Sequence, residues 1–254
     1  MLEKKVVIVS GSSKGIGSAI AKGFAKEGAF VVVNYRNDEV AAARVAEQCE
    51  LFGGKACLVK ADVTTESGAK KLVETASHQF GTIDVLVNNV FAPYVFNPET
   101  RKKAWEMKWG DYTSQFDGGL KAAHLLVQGS LPYMRHKGSG SIINLATNLV
   151  QHPVVPYQDY ITAKAAIIGY TRSMSKDLGA IGIRINAIAP GLVYPTEASK
   201  QTKEELKEQI SASTPLGRIA KPEDIVGPAL FLASKWSDFM TGQTLTVDGG
   251  LVMG

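Results

Sequence analysis

The chain has 254 residues, of which 45% are apolar and 20% are charged, and its formal net charge is +4. This length suits one large α/β domain or two small ones, and the composition is ordinary for a globular protein. The cations are dispersed along the chain, which argues against a nucleic-acid-binding surface.

The N-terminus and the cysteines give no sign of secretion or membrane insertion. The apolar run in "MLEKKVVIVSGS" is too short for a signal peptide or a membrane span. Cys49 and Cys57 do not form a CxxC motif, and a disulfide framework is not indicated. The four histidines lack metal-ligand spacing, so no metal site is predicted. We therefore expect a soluble cytoplasmic protein.

Strand-like and helix-like segments alternate from the first residues to the last. The predicted strands are KKVVIVSG, FVVVNYR, ACLVKADV, IDVLVNN, GSIINLA, IRINAIAP and GQTLTVDGG. The predicted helices are IGSAIAKGFAKEGA, SGAKKLVETASHQF, GLKAAHLLVQGSLPYMR, YITAKAAIIGYTRSMSKDLG, TKEELKEQI and KPEDIVGPALFLA. This pattern predicts one α/β domain over residues 1–254, a Rossmann-type doubly wound parallel sheet with helices on both faces.

A glycine-rich turn, "SGSSKGIG", joins the first strand to the first helix. Its glycines are Gly11, Gly15 and Gly17, in the spacing G-x3-G-x-G. Glycines let the backbone turn tightly and approach a pyrophosphate at a helix N-terminus, although they also serve plain tight turns. The position between a strand and a helix favours a dinucleotide site.

The end of the second strand indicates which dinucleotide binds. An NAD site usually offers a carboxylate there to the ribose hydroxyls. This strand ends "VNYRN", with Arg36 and no carboxylate before Asp38. Arg36 and Lys14 would suit a 2′-phosphate, and NADP(H) is therefore favoured over NAD(H), although both could be plain surface cations.

One tyrosine–lysine pair has the spacing of a proton donor and its partner. Tyr160 and Lys164 are four residues apart and would share a helical face. A free tyrosine has a pKa of about 10, and a neighbouring ammonium lowers it by stabilising the phenolate. Tyr160 is therefore the candidate general acid for a carbonyl oxygen. Tyr133 and Lys137 have the same spacing, but they end an earlier helix and are read as structural.

Taken together, the motifs resemble the short-chain dehydrogenase/reductase family over essentially the whole chain. The matching pieces are SGSSKGIG, ADVT, LVNN, Tyr160-x-x-x-Lys164, INAIAPG and TGQTLTVDGG. The chain looks most like the 3-oxoacyl-[acyl-carrier-protein] reductase branch, helped by "TPLGR". The resemblance implies an NAD(P)-dependent oxidoreductase of fatty acid biosynthesis and a homotetramer.

The resemblance also assigns roles to individual residues. Thr147 stands at the position of the family's serine and keeps a hydroxyl for the substrate oxygen, while its methyl group narrows the site. It could also be merely a threonine at a strand end. Lys164 would also hold the nicotinamide ribose. The implied cofactor-binding residues are Gly11, Ser13, Lys14, Gly15, Ile16, Gly17, Arg36, Asp62, Val63, Asn89, Tyr160, Lys164, Pro190, Gly191, Val193 and Thr196.

Three further positions depart from the family pattern. Val90 and Phe91 make "NNVF" where the family has NNAG, and Gly119 stands where the family usually has a catalytic asparagine. Loss of one polar catalytic group commonly lowers the rate about 10²–10³-fold. We expect catalysis to survive at a lower rate, but a cofactor-binding protein with little catalysis is the alternative.

The substrate is expected to be a partly apolar carbonyl compound, a 3-oxoacyl thioester or another ketone. The aromatic segment 91–113 follows a central strand, and residues 192–214 form a candidate substrate loop or lid. A further alternative is an enoyl-thioester reductase, because Tyr157 is seven residues before Lys164, a spacing that resembles those members of the superfamily.

Overall fold

Seven strands form a single parallel sheet, as the alternating pattern predicts. The structure is a computed structural model that describes residues 2–253. The strands are β1 (Val6–Val9), β2 (Phe30–Tyr35), β3 (Lys55–Lys60), β4 (Val85–Asn88), β5 (Gly140–Leu145), β6 (Ile183–Pro190) and β7 (Thr244–Val247). The helices are α1 (Gly15–Lys26), α2 (Glu39–Leu51), α3 (Glu66–Phe80), α4 (Trp109–Phe116), α5 (Ala122–Lys137), α6 (Gln158–Gly179), α7 (Glu204–Ser213) and α8 (Val226–Ala233).

Helices cover both faces of the sheet because successive strand residues point to opposite sides. Val7 and Val9 pack on one face, among side chains of α1, α2 and α8. Ile8 packs on the other face, among side chains of α3, α5 and α6. All three side chains are completely buried, and each such burial contributes about 1.5–3 kcal/mol. A strand buried on both faces reads as a continuous apolar run, which is what the first strand shows.

The order of the strands creates a crevice at one edge of the sheet. The order is β3-β2-β1-β4-β5-β6-β7, so the chain builds outward from β1 in one direction and then returns to continue from β4 in the other. The loops after β1 and β4 therefore diverge at the carboxyl ends of the strands. The glycine turn follows β1, and the segment "NVFAP" follows β4. Both meet at this crevice.

Two helices were not among the predicted elements. Helix α2 buries only Ala42, Val45 and Cys49, so its apolar stripe is weak. Its first turn is instead capped by Asp38, whose carboxylate accepts a 2.9 Å hydrogen bond from the N–H of Ala41. Helix α4 buries only Gln115, so it too lacks an apolar pattern to detect.

A π-helical segment, Asp117–Lys121, joins α4 to α5. A Cβ atom at Gly118 would lie 2.3 Å from the backbone nitrogen of Ala92, so a glycine is needed where this segment packs on the loop after β4. Gly119, the neighbour, has open space around its missing side chain.

Within residues 2–253, no helix is long and apolar enough to cross a membrane.

Candidate active site

The turn between β1 and α1 depends on its glycines. Gly11 and Gly15 have φ values of 61° and 56°, a region that costs other residues strain. At Gly17, a Cβ atom would lie 2.6 Å from the carbonyl oxygen of Gly11. Gly15 and Ile16 line the crevice at the start of α1, where the free N–H groups of the first helical turn suit a phosphate.

Two asparagines, one in β2 and one directly after β4, hold this turn in place. The side-chain oxygen of Asn34 accepts a 2.9 Å hydrogen bond from the N–H of Gly11, and its amide donates to the carbonyl of Ala61. The amide of Asn89 donates to the carbonyls of Ser10 and Gly11, at 3.1 Å each. This role of Asn34 was not predicted from the sequence. The feature of the sequence that could have indicated this role is that Asn34 is an amide residue within the apolar strand "FVVVNY".

The crevice is divided into two adjoining cavities. We call the larger one, of about 820 Å³, the outer cavity, and the other, of about 310 Å³, the inner cavity. Their shared lining includes Gly11, Lys14, Val90 and Phe91. Of the candidate site residues, Ser13, Arg36, Asp62 and Val63 line only the outer cavity. Those that line only the inner cavity are Gly15, Ile16, Asn89, Thr147, Tyr160, Lys164, Pro190, Gly191, Val193 and Thr196.

Two of the cations that line the outer cavity, Lys14 and Arg36, each face a carboxylate. Lys14 lies 2.7 Å from Asp38, and Arg36 lies 3.5 Å from Asp62. The hydrogen bond from Lys14 holds the pKa of Asp38 below its usual value. Both cations are about half exposed, so solvent screens these pairs and they remain available to an anionic ligand.

Tyr160 and Lys164 lie one helical turn apart in α6, at the base of the inner cavity. Only 7% of Tyr160 and 4% of Lys164 are exposed. The Lys164 ammonium donates a 2.6 Å hydrogen bond to the carbonyl of Leu145, at the end of β5, and lies 5.8 Å from the centre of the Tyr160 ring. Strand β5 therefore fixes the lysine, and the helix places the tyrosine beside it.

Burial shifts the ionisation of both groups. It lowers the pKa of Lys164 to about 8, because an ammonium loses hydration in the protein interior. It raises the pKa of Tyr160, and a hydrogen bond with Thr147 opposes that rise. Thr147 is the second residue after β5, and its hydroxyl also accepts a hydrogen bond from the N–H of Leu149. Burial therefore favours the protonated form of Tyr160, and the Thr147 hydroxyl and the Lys164 ammonium lie beside its ring.

The walls of the inner cavity are mainly apolar. Phe91 and Phe96 come from the segment after β4, Leu149 follows β5, and Leu206 and Ile210 come from α7. The prediction that segment 91–113 lines the crevice holds only for its first half. The side chains of Trp105 and Trp109 are 84% and 72% exposed and do not line this cavity.

Val90 and Phe91, which stand where the family has alanine and glycine, pack directly on the site. A Cβ atom at Gly11 would lie 2.8 Å from a methyl carbon of Val90. The ring of Phe91 meets the ring of Tyr160 edge-on, with centroids 5.7 Å apart, and lies 5.3 Å from the Lys164 ammonium. Phe91 therefore covers the tyrosine–lysine pair from the side of the crevice.

The second tyrosine–lysine pair lies elsewhere. Lys137 forms an ion pair with Asp84, which immediately precedes β4, at the amino ends of the strands. Tyr133 packs in the core cluster on that side of the sheet. This edge is opposite the crevice, so the pair does not contribute to the site. Within residues 2–253, no cluster of three or more histidine, cysteine or carboxylate groups is arranged to hold a metal ion.

Known proteins resemble this chain over nearly its whole length. A family model described as enoyl-(acyl carrier protein) reductase matches residues 11–252. The chain is 34% identical over 249 residues to the 3-oxoacyl-[acyl-carrier-protein] reductase FabG of Staphylococcus aureus, covering 98% of both chains. It is 37% identical over 254 residues to glucose 1-dehydrogenase 2 of Bacillus subtilis, covering 99% of this chain and 96% of the other.

A solved structure gives the same result. The structure of a 7α-hydroxysteroid dehydrogenase complexed with NADH and 7-oxo glycochenodeoxycholic acid superimposes with a TM-score of 0.89 at 32% identity, covering 98% of this chain and 94% of that one. The protein therefore belongs to the short-chain dehydrogenase/reductase family of oxidoreductases. The relatives act on chemically different substrates, so membership of the family leaves the substrate open.

Proposed function

We propose that this protein is an NADPH-dependent carbonyl reductase that reduces a 3-oxoacyl thioester or another ketone to the alcohol. The observation that carries the proposal is the buried pair of Tyr160 and Lys164 at the base of an apolar cavity that adjoins the glycine turn. This site combines a proton donor, a cofactor cradle and a dry pocket for a carbonyl compound.

The residues of the chain supply the proton chemistry. Tyr160 donates its phenolic proton to the carbonyl oxygen, which becomes the alcohol oxygen. The phenolate left behind is stabilised by the Lys164 ammonium and by the Thr147 hydroxyl. It recovers a proton from solvent that enters the inner cavity, which Tyr160 lines, after the product leaves. When bound, the nicotinamide supplies the hydride that adds to the carbonyl carbon.

The cradle fits a dinucleotide. Gly11 lines both cavities, where a pyrophosphate would approach, and Gly17 lets the turn pack closely on Asn89. The outer cavity of about 820 Å³ has space for an adenosine. Arg36 and Lys14 would hold the 2′-phosphate, and Asp62 and Val63 would meet the adenine. Asn89 would lie beside the adenosine half, while Val193 and Thr196 would contact the nicotinamide end.

The walls favour a substrate with an apolar group next to its carbonyl. Leu206 and Ile210 of α7 face the inner cavity, so residues 192–214 would act as a lid over that group. A sugar hydroxyl against these walls would lose hydrogen bonds to water without replacement, which is unfavourable. We therefore favour acyl thioesters and apolar ketones over polyhydroxylated substrates such as the glucose named for one relative.

An enoyl-thioester reductase using Tyr157 is the second candidate. Tyr157 lines the same inner cavity and is well buried, and the matching family model carries the description of an enoyl reductase. Tyr157 occupies the N-cap position of α6, and burial raises its pKa to about 12. The position of Lys164 argues against this candidate, because its ammonium lies 5.8 Å from the centre of the Tyr160 ring.

The deciding experiment measures NADPH oxidation with matched 3-oxoacyl and enoyl thioesters in the wild type, Tyr160→Phe and Tyr157→Phe. We expect turnover of the ketone, and a loss of about 10²–10⁴-fold in kcat for Tyr160→Phe alone. Tyr133→Phe is the matched control, because Tyr133 precedes Lys137 with the same spacing, and its activity should equal that of the wild type.

The outcome distinguishes the candidates. Turnover of the enoyl substrate that depends on Tyr157 would transfer the protein to the second reaction. Tight NADPH binding without turnover of either substrate would favour the binding protein with little catalysis.

A homotetramer is part of the same proposal. Large apolar side chains are exposed at Trp236, Phe239 and Met253 in the C-terminal region, and on Trp105 and Trp109 near α4. Exposed apolar surface of this kind is typical of subunit contacts. Light scattering at several protein concentrations tests the subunit count, and a monomeric mass at all of them would contradict it.

A further inference from the structure

Three aromatic side chains from one loop surround the candidate general acid. The ring of Tyr160 lies 5.7 Å from that of Phe91, 5.3 Å from that of Tyr94 and 5.1 Å from that of Phe96, measured between centroids. All three belong to the segment after β4, whereas Tyr160 lies in the first turn of α6. The burial of Tyr160 thus depends on a loop distant in sequence.

Among these three residues, Tyr94 also forms a hydrogen bond with the helix that carries Tyr160. Its hydroxyl donates a 2.8 Å hydrogen bond to the carboxylate of Asp159, the residue directly before Tyr160. The bond to a carboxylate is charge-assisted and therefore stronger than a neutral one. Tyr94 consequently holds two adjacent helix positions, one by its hydroxyl and one by its ring.

Tyr94 also separates Tyr160 from water. It lines the outer cavity and a polar side cleft, whose lining includes Arg101, Lys102 and Asp111, but it does not line the inner cavity. Its ring packs on Tyr157 as well as on Tyr160. Without this ring, the side cleft would open toward the phenol of Tyr160.

We propose that Tyr94, anchored by Asp159, is the positioning residue for the general acid Tyr160: it fixes the direction of the phenol and keeps water from it. This inference rests on the proposed role of Tyr160. Tyr94 does not donate a proton to the substrate, because its hydroxyl is committed to Asp159. Its effect on the reaction passes entirely through Tyr160.

The test separates the hydroxyl of Tyr94 from its ring. Tyr94→Phe removes only the bond to Asp159 and should lower kcat about tenfold, the loss expected for one charge-assisted hydrogen bond. Tyr94→Leu also removes the ring and should lower kcat roughly 100-fold, as displacement of a reacting group does. The KM for the ketone should change much less than kcat, because neither variant alters the inner cavity wall.

Asp159 provides a double-mutant cycle. Asp159→Asn keeps an oxygen that accepts the bond and should retain most of the activity. Asp159→Ala should match Tyr94→Phe, and combining the two should cost no more than either alone, because both break the same bond. Tyr170→Phe is the control, since this tyrosine also lies on α6 but its hydroxyl faces His124, away from the site.

A second measurement needs no cofactor. Ultraviolet titration of the phenols, with the Tyr160→Phe curve subtracted, reports the ionisation of Tyr160. Burial raises the pKa of Tyr160, so exposing its phenol in Tyr94→Leu should move the ionisation to lower pH. Tyr94→Phe keeps the ring and should titrate close to the wild type.

The outcomes separate this inference from the proposed function. If Tyr160→Phe retains full turnover, the proposed function itself is wrong. If Tyr160→Phe abolishes turnover but Tyr94→Leu keeps the wild-type kcat and phenol titration, only the positioning role is overturned. Should circular dichroism show that Tyr94→Leu is unfolded, the pair Tyr94→Phe and Asp159→Ala decides: wild-type kcat in both would sink the proposal.

Discussion

At the scale of single residues, the site depends on groups whose ionisation is set by burial. The Lys164 ammonium makes one hydrogen bond, to the carbonyl of Leu145, and otherwise faces the rings of Phe91 and Tyr160. Burial at this position penalises the charged form of the amine, which is why its pKa falls to about 8. A lysine in this state changes charge close to physiological pH.

This ionisation predicts a pH dependence. Below a pH of about 8, Lys164 is charged and stabilises the phenolate of Tyr160, whereas above it the charge and its effect are lost. The kcat of carbonyl reduction should therefore decline as pH rises through about 8. Lys164→Met should be slow at every pH and lack this decline. A wild-type profile that stays flat well above pH 8 would contradict the assignment.

At the scale of elements, a buried chain of polar side chains joins two strands to the helix that carries the active-site pair. The amide of Asn88 on β4 donates to Asn144 on β5, and the amide of Asn144 donates to the hydroxyl of Thr171 on α6, each at 2.8 Å. All three residues are buried. These bonds fix α6 against the centre of the sheet.

Breaking this chain should cost stability. Asn144→Leu leaves the amide of Asn88 and the hydroxyl of Thr171 without this partner, and an unpaired buried polar group costs about 1–3 kcal/mol. The free energy of unfolding in urea should fall by at least that amount. Asn37→Leu, at an exposed position, should change it by no more than about 0.5 kcal/mol. If the free energy of unfolding fell equally in the two variants, the buried chain of polar side chains would contribute nothing to stability.

At the scale of the whole molecule, the crevice unites segments that are far apart in the chain. The glycine turn, the end of β2, the loop after β4, the start of α6 and the loop after β6 all line it. A ligand that contacts all of these segments binds only the folded state and so stabilises the whole domain. Cofactor binding is thus measurable as a change in global stability.

This linkage predicts a thermal shift that discriminates between the two dinucleotides. At a concentration of about 100 times its Kd, NADPH should stabilise the fold by about 2.7 kcal/mol. NADH at the same concentration should raise Tm less, because it lacks the phosphate that Arg36 would bind. Arg36→Ala should reduce the difference, because only Lys14 would then remain to bind the phosphate. Arg172→Ala, at an exposed position of α6, should leave the difference unchanged. An equal shift by both dinucleotides in the wild type would contradict the preference for NADPH.

Much of the architecture could be predicted because it depends on local patterns. Buried parallel strands are continuous apolar runs, and the seven predicted strands are confirmed. Helices with a clear apolar stripe were found, whereas α2 and α4, which bury few side chains, were missed. The glycine turn and the spacing of Tyr160 and Lys164 are short-range features, so the sequence was sufficient to indicate them.

What the sequence by itself determined was the family's fold and the residues of the candidate acid pair, because both follow from patterns within one strand, turn or helix. Only the tertiary structure decided which neighbours those residues have. The bonds of Asn34 to the glycine turn, the rings of Phe91 and Tyr94 against Tyr160, and the exposure of Trp105 could not be read from spacing. The physical reason is that burial and ionisation depend on contacts between segments distant in the chain, which only the packed fold defines.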